Sequence, residues 1–341
     1  MSKKMRFAII GAGVIAPLHA RAIVSHPEAE LAAVVDAVPE KAAKIAEEFG
    51  AAHVYTDTRQ MLQECDVDVV CICVPSGGHR DATVAAAEAG KHVLCEKPLG
   101  ITKADMDEMI EACRSHGVKL ATVFQKRTTP HALLTKKAIN EGKLGKLVLG
   151  DAYLKYYRSP EYYKSAGWRG TWAIDGGGAL MNQGVHGIDI IRWMMGEVDS
   201  VFAYTAPLIH DIEVEDTAVA VLKYKNGAFG VIQGTTSVNP GQEPRFEIHG
   251  EHGTIIYGDS GFKVWKTVDG DAAPLVSEGS AEGADDPNAI SSDGHYILID
   301  DLIQAVREDR EPLISGEEAR KSVDLILAIY ESSRTGKEIK L

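Results

Sequence analysis

The chain of 341 residues has no uninterrupted apolar run approaching the ~18 residues that a membrane-spanning helix needs. It also has no basic excess, because its formal net charge is −13. Nucleic acids and anionic membranes select positively charged surfaces, so this balance argues against both as partners. The charged N-terminus leads into an apolar stretch broken by glycines, without a small-residue cleavage site. We therefore expect a cytoplasmic protein that acts on small molecules.

Cysteine is scarce, with five residues in the whole chain. Cys71 and Cys73 lie two apart in the apolar run DVVCICVP, so both point to one face of a predicted strand. No cluster of cysteine or histidine follows at metal-ligand spacing. The pattern favours reduced thiols in the core, and we predict no metal centre.

Glycines stand between the first predicted strand and the first predicted helix. Residues 5–10 (MRFAII) indicate a strand, and the GAGVIA that follows matches the dinucleotide-binding pattern G-x-G-x-x-A. Gly11 and Gly13 permit a tight turn and a close approach of the cofactor pyrophosphate. Val14 and Ile15 lead into the helix N-terminus, which favours the same negative charge.

An acidic residue ends the second predicted strand, LAAVVD. Asp36 stands roughly 20 residues after Gly13, where a carboxylate suits the ribose 2′-hydroxyl of NAD and repels the 2′-phosphate of NADP. The Ala-Val-Pro that follows offers no arginine to bind that phosphate. The pattern therefore predicts NAD as the cofactor, in preference to NADP.

The pattern of predicted secondary structure changes near residue 125. Before it, strands rich in Val, Ile and Leu alternate with helices, which predicts an α/β doubly wound parallel sheet, a Rossmann domain over 1–125. After it, alternating strands and an Asn226-Gly227 hairpin turn predict an α+β domain with a mostly antiparallel open sheet over 126–341. The acidic stretch 277–294 indicates a mobile surface loop. Two helices close the chain, and the last can pack back on the first domain.

Two predicted strands are followed by polar residues at the carboxyl edge of the sheet, the edge at which the glycine turn also lies. Pro75 and Ser76 follow one strand, and Glu96 and Lys97 follow the strand HVLC, where Pro98 ends the ladder of hydrogen bonds. Open α/β sheets bind ligands at this edge, so Lys97 is expected to face the nicotinamide. The alternative is a solvated loop, in which Lys and Glu are common.

A polar stripe follows the triple glycine of the second half. A helix predicted to begin near Ala179 would carry Asn182, His186, Asp189 and Trp193 at spacings of 4, 3 and 4, on one face. A single histidine on a helix is more often a satisfied structural residue. Aligned Asn, His and Asp side chains at a glycine loop favour a site instead.

Together these motifs resemble the Gfo/Idh/MocA oxidoreductases, the family of glucose-fructose oxidoreductase and inositol dehydrogenase. The likeness rests on GAGVIA, on Glu-Lys-Pro and on GGGALMNQGVH, and extends over nearly the whole chain. It implies hydride transfer between NAD(H) and a secondary hydroxyl of a sugar, sugar derivative or cyclitol. It also implies a homodimer or homotetramer formed through the C-terminal sheet. The Trp-Arg-Gly-Thr-Trp run resembles the branch that oxidises C3 of sugars, UDP-linked amino-uronic sugars included.

The resemblance further implies roles for single residues. Lys97 would hydrogen-bond the reacting oxygen, and His186 would take its proton while hydride leaves for C4 of the nicotinamide. Asn182 stands where the family often has aspartate, so it can orient substrate or His186 but cannot take a proton. Asp189, one turn on, is a candidate partner of His186. The other implied contacts are Gln125, Arg127 and Tyr163 to the substrate, and Pro75, Ser76, His79, Glu96, Trp168 and Arg169 to the cofactor.

Basic residues precede the triple glycine: Lys155, Arg158, Lys164 and Arg169. They could hold a phosphate or a carboxylate, although a surface position is favoured for the two lysines. Two other functions remain open. One is an NAD-recycling glycosidase of the same fold, which would release an aglycone without net NADH. The other is a non-catalytic NAD-binding regulator, which would have no need of both Lys97 and His186.

Overall fold

The computed structural model describes residues 3–276 and 291–341. The chain divides into two compact units: unit 1 comprises Met1–Gln125 and Ser291–Arg320, and unit 2 comprises Lys126–Ile290 and Lys321–Leu341. Most of the predicted loop at 277–294 lies outside the described residues. None of the helices within these ranges is long and apolar enough to cross a membrane.

The described elements alternate in unit 1 and are mainly strands in unit 2. The strands are β1 (Met5–Ile10), β2 (Ala29–Val35), β3 (His53–Tyr55), β4 (Val69–Ile72), β5 (His92–Cys95), β6 (Leu120–Thr122), β7 (Leu147–Lys155), β8 (Val198–Ala206), β9 (Thr217–Tyr224), β10 (Phe229–Thr235), β11 (Arg245–Gly250), β12 (Thr254–Gly258), β13 (Gly261–Lys266) and β14 (Ile339–Lys340). The α-helices are α1 (Ala16–Ser25), α2 (Pro39–Phe49), α3 (Thr58–Glu64), α4 (His79–Glu88), α5 (Lys103–Ser115), α6 (Pro130–Asn140), α7 (Pro160–Lys164), α8 (Val185–Met195), α9 (Asp293–Glu308) and α10 (Gly316–Thr335).

Unit 1 is built on a parallel sheet with the strand order β3-β2-β1-β4-β5-β6. This is the strand order of doubly wound dinucleotide-binding folds, and it confirms the predicted Rossmann architecture. Phe7, Ala8 and Ile9 of the central strand have no solvent exposure, because helices cover both faces of the sheet. Because both faces of these strands are buried, their sequences are nearly continuous apolar runs.

Helix boundaries in unit 1 follow local chemistry. Asp57 and Thr102 accept the backbone N–H of the third residue after them and so cap the starts of α3 and α5. Gly50 ends α2 in the left-handed conformation that glycine favours. α9 comes from residues 293–308 yet packs on α1, so a late segment of the chain completes this unit.

Unit 2 contains a sheet of eight strands in the order β13-β12-β11-β7-β10-β9-β8-β14. The pair β7 and β10 is parallel and the other described pairs are antiparallel, as predicted for a mostly antiparallel sheet. The predicted Asn226-Gly227 turn joins β9 to β10. The sequence predicts strands at LVLGDAYLKYY, on both sides of this turn and in the hairpin RFEIHGEHGTIIYGD, but does not predict β8, β13 or β14. β13 (GFKVWK) starts on glycine and carries two lysines.

Among the described residues, one face of this sheet packs on α8, and the other face carries exposed apolar side chains. Along β9 the side chains alternate between buried and exposed, which is the pattern of a sheet covered on one side. On the exposed face Tyr204, Val219, Val221 and Phe229 are between 43% and 71% exposed. Assembly of a dimer or tetramer through this sheet stays a prediction.

Candidate active site

The glycine turn of unit 1 closes against the neighbouring strand end. Gly11 has φ +96°, and a Cβ added there would lie 2.6 Å from the carbonyl oxygen of Cys73. A Cβ on Gly13 would meet no protein atom within 4 Å, so the space beside it is open. Ala16 is fully buried where α1 begins, in the position that favours a small residue for close helix–strand packing. The turn therefore has the opening that a pyrophosphate requires.

Asp36 is held in place by the backbone on both sides. Its Oδ2 accepts the N–H of Ala12 at 2.8 Å, and its Oδ1 accepts the N–H of Val38 at 2.9 Å. Each carboxylate oxygen can accept more than one hydrogen bond, so the group can also receive ribose hydroxyls. The predicted cofactor contact thus has a fixed orientation.

Glu96, at the end of β5, lies in a buried cluster with two histidines. Its Oε1 is 2.8 Å from Nε2 of His19 and 3.4 Å from Nε2 of His295. Its Oε2 accepts the backbone N–H of Lys97 at 3.2 Å. Because His19 lies on α1 and His295 on α9, the cluster ties the backbone of Lys97 to two helices of unit 1.

The cluster keeps Glu96 ionised. Desolvation raises the pKa of Glu96, but the hydrogen bonds from His19 and His295 outweigh it and hold the pKa well below its usual value. Burial lowers the pKa of His19, so this ring donates to the carboxylate as a neutral imidazole. The residue next to Lys97 is therefore a fixed, buried negative charge.

His79 ties together the loops that follow β4 and β5. Its Nδ1 lies 2.7 Å from the carbonyl oxygen of Pro98, and its Nε2 lies 3.1 Å from that of Val74. The side chain is 1% exposed, and burial lowers its pKa. The ring thus lies between two backbone carbonyls, and as a neutral imidazole it donates its single N–H to one of them. Contact of His79 with the cofactor stays a prediction, whereas its role in fixing the two loops is visible.

The segment after the triple glycine begins with a π-helical turn. Residues Ala179–Gly184 are π-helical, and α8 starts only at Val185. This corrects the predicted single α-helix from Ala179, since the wider π-turn changes the direction of its side chains relative to α8. π-Turns inside helices occur frequently at functional sites. Asn182 therefore lies on the π-turn and His186 in the first turn of α8, both half-buried.

Buried acidic residues fix this segment. Asn182 donates from Nδ2 to Oδ1 of Asp175 at 2.8 Å, and the other oxygen of Asp175 accepts the N–H of Gly170. Glu215 accepts the N–H of Gly178 at 3.0 Å and that of Leu180 at 2.8 Å. The sequence patterns indicated neither acid, because each contact depends on how separate segments meet.

Asp189 lies in the interior of unit 2 with a full cationic partner. Arg127 donates to both of its oxygens, with N···O distances of 2.6 Å, and Ser322 Oγ donates to Oδ1 at 2.7 Å. Arg127 is 3% exposed and Asp189 is not exposed. A direct role in binding substrate, or for Asp189 in assisting His186, would have to break this ion pair. The structure therefore gives the two residues a structural explanation that the sequence patterns did not indicate.

Aromatic and arginine side chains gather beside the π-turn. The guanidinium of Arg169 lies 4.2 Å from the ring centroid of Tyr162 and 4.6 Å from that of Trp168. The Tyr162 hydroxyl also accepts from Gln183 Nε2 at 2.7 Å, and Gln183 Oε1 accepts from Arg158 at 2.9 Å. These five residues form one connected group, called here the Arg-Tyr cluster.

The other predicted residues of this region are dispersed. Tyr163 lies with its hydroxyl 2.7 Å from Thr236 Oγ1, and burial raises its pKa. Lys164 is exposed. Lys155 points to the sheet cavity that Arg245 also lines, with its ammonium 5.3 Å from the ring of Tyr153. Only the two arginines of the predicted basic set come together.

The predicted residues fall in both units. Unit 1 contains Gly11, Gly13, Val14, Ile15, Asp36, Pro75, Ser76, His79, Glu96, Lys97 and Gln125, and unit 2 contains Arg127, Tyr163, Trp168, Arg169, Asn182, His186 and Asp189. Their contacts with a cofactor or a substrate, and the pairing of Lys97 with His186, stay predictions.

Comparison with known proteins decides the family. Residues 5–124 match the model of the oxidoreductase family with an NAD-binding Rossmann fold, and residues 133–256 match the Gfo/Idh/MocA C-terminal domain. The chain belongs to the Gfo/Idh/MocA oxidoreductases. The resemblance noted from the sequence is thereby confirmed, as are the NAD-binding domain and the dehydrogenase class.

Three relatives illustrate the range of this family. A crystal structure of the WlbA dehydrogenase from Bordetella pertussis, in complex with NADH and UDP-GlcNAcA, is 36% identical with a TM-score of 0.89, and the match covers 99% of both chains. Myo-inositol 2-dehydrogenase of Thermotoga maritima is 29% identical over 99% of this chain and 98% of its own length. D-glucoside 3-dehydrogenase of Escherichia coli is 27% identical over 100% and 98%.

Proposed function

We propose that the protein oxidises the C3 hydroxyl of a UDP-linked, N-acetylated uronic sugar, with NAD as the hydride acceptor. The observation that carries the proposal is the likeness to the Bordetella WlbA dehydrogenase, whose structure contains NADH and UDP-GlcNAcA and matches nearly the full length of both chains. The position of oxidation rests on the Trp-Arg-Gly-Thr-Trp and Asn-Gln pattern around the triple glycine, and on the related D-glucoside 3-dehydrogenase.

Unit 1 supplies the cofactor site of this proposal. The open space beside Gly13 and the start of α1 suit the pyrophosphate, and the fixed carboxylate of Asp36 suits the ribose hydroxyls. Bound NAD supplies the carbon that accepts hydride from C3. Glu96 fixes the backbone of Lys97, whose ammonium hydrogen-bonds the reacting oxygen and stabilises the negative charge that develops on it.

Unit 2 supplies the base. His186, as a neutral imidazole, takes the hydroxyl proton as the C3–H bond breaks and the carbonyl forms. Asn182 orients the substrate from the neighbouring π-turn, and Asp175 fixes the direction of its amide. An amide is too weak a base to take a proton at neutral pH, so proton transfer is assigned to His186 alone.

The Arg-Tyr cluster suits an anionic substrate. Arg169 is partly exposed and stacked on two aromatic rings, which orient its guanidinium without neutralising it. A planar guanidinium binds carboxylate and phosphate in bidentate geometry, and a UDP-linked uronic acid carries both groups. A free cyclitol such as inositol carries neither group, and so offers no anion to the guanidinium of Arg169.

The test is an NADH absorbance assay with UDP-GlcNAcA, myo-inositol and alkyl glucosides as substrates. Rapid reduction of NAD by UDP-GlcNAcA alone is the expected result. Reduction by inositol or a glucoside, with UDP-GlcNAcA inert, would contradict the substrate. Release of an aglycone from a glycoside without net NADH would indicate the glycosidase activity, and binding of NAD without turnover of any substrate would indicate the regulator.

The catalytic pair is tested by substitution. Lys97→Ala and His186→Ala should each lower kcat by about 10²–10⁴-fold while NAD binding, followed by fluorescence, is kept. Lys103→Ala and His252→Ala are matched controls, since Lys103 is exposed in unit 1 and the His252 side chain is 52% exposed in unit 2. Unchanged kcat in either catalytic variant would remove that residue from the mechanism.

A further inference from the structure

The hydroxyl of Tyr162 lies inside the Arg-Tyr cluster and accepts hydrogen bonds from two side chains. Nη1 of Arg169 and Nε2 of Gln183 both donate to its oxygen, the latter at 2.7 Å. A phenol oxygen has two lone pairs and one hydrogen, so these two donors use its full capacity to accept. The hydroxyl hydrogen needs a different partner, and no residue within 3–276 or 291–341 accepts it.

The directions of the surrounding hydrogen bonds are fixed by charged groups at their ends. Asp175, as a carboxylate, can only accept, so the Asn182 amide must direct Nδ2 towards it and Oδ1 away from it. Arg158 can only donate, so Gln183 must direct Oε1 towards it. The Nε2 of Gln183 then faces Tyr162, and it also lies 3.4 Å from Oδ1 of Asn182. Turning either amide over would place donor against donor or acceptor against acceptor. Tyr162 therefore cannot donate to Gln183.

The Tyr162 hydroxyl keeps its hydrogen at neutral pH. Burial raises its pKa above the usual value of 10, although the positive charges of Arg169 and Arg158 lower it. A phenol in this state is a neutral donor held at a fixed position by two N–H groups. It can thus give a hydrogen bond to an oxygen of a bound molecule.

Arg169 adds a cation beside this donor. Its guanidinium lies 4.2 Å from the ring centroid of Tyr162, and its Nε donates to Oγ of Ser165 at 3.2 Å. The bonds to Ser165 and to the Tyr162 hydroxyl use only part of its five N–H groups. Arg169 is partly exposed, so the other N–H groups can reach a ligand. An O–H donor and a guanidinium side by side are a combination that favours an oxyanion.

We propose that Tyr162 is a specificity-determining residue whose hydroxyl, together with Arg169, binds the carboxylate of the substrate and so selects a uronic sugar over the corresponding hexose. The identity of the substrate rests on the function proposed above. One cation next to a neutral donor balances the single charge of a carboxylate, whereas a diphosphate carries two charges. Gln183 also connects Tyr162 to Asn182, which orients the sugar, and the carboxyl group of a pyranuronic acid is separated from C3 by only C4 and C5.

The first test measures binding by calorimetry in the presence of NADH, so that no hydride transfer is required. The two ligands are UDP-GlcNAcA and UDP-GlcNAc, in which a hydroxymethyl group replaces the carboxylate. Tyr162→Phe should weaken binding of UDP-GlcNAcA by about tenfold or more, as expected for a hydrogen bond to a charged group, and that of UDP-GlcNAc by less than about threefold. Equal weakening of both ligands would assign the hydroxyl to the diphosphate and overturn the proposal. Unchanged binding of both ligands would also overturn it.

The second test separates donation by Tyr162 from the placement of Arg169, because phenylalanine also removes an acceptor of that guanidinium. In a double-mutant cycle, Tyr162→Phe should still weaken binding of UDP-GlcNAcA by about fivefold when Arg169→Ala is already present. No further weakening would show that the hydroxyl acts only through Arg169, and would overturn the proposal. Tyr204→Phe, at a 71% exposed tyrosine of the same unit, is the control and should leave both affinities unchanged.

The two proposals fail in different ways. Binding of UDP-GlcNAcA that depends on Tyr162, in a protein that reduces no NAD with it, would keep this inference and remove the proposed function. Oxidation of UDP-GlcNAcA with the same preference over UDP-GlcNAc in wild type and Tyr162→Phe would keep the function and overturn the inference. If neither nucleotide sugar binds, free glucuronate and glucose provide the same comparison. The lack of any Tyr162-dependent preference for glucuronate would then overturn the inference.

Discussion

Glu96 in unit 1 and Glu215 in unit 2 are 6% and 2% exposed, yet their pKa values move in opposite directions. Desolvation raises both. At Glu96 the N–H donors of two imidazoles reverse the effect and hold the pKa well below its usual value. At Glu215 the donors are backbone N–H groups and a phenol, and the pKa stays raised at about 7.

The difference lies in the partners, because burial is nearly equal. Each glutamate fixes the chain beside a proposed catalytic residue: Glu96 accepts the N–H of Lys97, and Glu215 holds the turn that leads to His186. The support of Lys97 therefore keeps its charge over the whole working pH range, whereas the support of His186 can lose it. Similar solvent exclusion produces one permanent charge and one titratable charge.

Asp189 offers the strongest test of how a partner stabilises a buried carboxylate, since its partner is the guanidinium cation of Arg127. Replacing Arg127 with Leu would leave Asp189 buried without that cation, so the free energy of unfolding should fall by about 3–5 kcal/mol. Urea denaturation at pH 7.5 (roughly the middle of the stable range) measures the loss. Arg334→Leu, at an exposed arginine of α10, is the control and should change stability by less than about 0.5 kcal/mol. A small loss in Arg127→Leu would show that the ion pair is dispensable.

The two glutamates should give opposite pH dependences of stability. The folded pKa of Glu215 is about 7 against a usual 4.5, so the native state binds this proton more tightly. Its stabilising contribution is complete below pH 4.5 and is lost as the pH rises to about 7, by on the order of 3 kcal/mol at about 1.4 kcal/mol per unit. The folded pKa of Glu96 is lowered, so its contribution is present above its usual pKa and is lost as the pH falls through the folded value.

Chemical denaturation of wild type, Glu96→Gln and Glu215→Gln between about pH 5 and about pH 8 measures this contrast. The stability difference between wild type and Glu215→Gln should shrink or change sign as the pH rises. The difference between wild type and Glu96→Gln should stay constant over the same range. Parallel curves for the two variants would mean that partners do not distinguish the two sites.

Asp36 is a third kind of carboxylate, half-buried and bonded to two backbone N–H groups. Asp36→Ser keeps a hydrogen-bond acceptor but removes the charge that repels a 2′-phosphate. The ratio of kcat/KM for NADP to that for NAD should rise about tenfold, equivalent to 1.4 kcal/mol, with little change in stability. The control is Asp57→Ser, since serine also caps a helix start such as that of α3. An unchanged ratio would mean that Asp36 does not select the cofactor.

Much of unit 1 could be predicted because its signals are local. The glycine turn, the apolar strand runs and Asp36 each fall within a short window, and the regular alternation of strands with helices predicts a doubly wound parallel sheet, although not the order of its strands. In unit 2 the hairpin turn at Asn226-Gly227 could also be predicted from a short local pattern. The Glu-Lys-Pro and Asn-Gln motifs identified the family by resemblance, although neither motif specifies a fold by itself.

The supports of the candidate site could not be predicted, because they depend on long-range contacts. Glu215 reaches back to Leu180, Tyr330 comes from the last helix, and His295 lies about 200 positions beyond Glu96, since the contact spans 199 residues. A buried carboxylate in a loop reads like any exposed acid in a sequence. The π-turn was missed for a related reason: a 3.6-residue period describes α8 well, and no simple pattern distinguishes a π-turn before it.

The return of residues 291–320 to unit 1 has a consequence for synthesis. A ribosome releases the first 125 residues long before α9. During that time the side of α1 that contacts α9 is uncovered, and Glu96 lacks His295 as a partner. Unit 2 must largely emerge during that interval. The dinucleotide-binding half, although first in the chain, can become complete only near the end of translation.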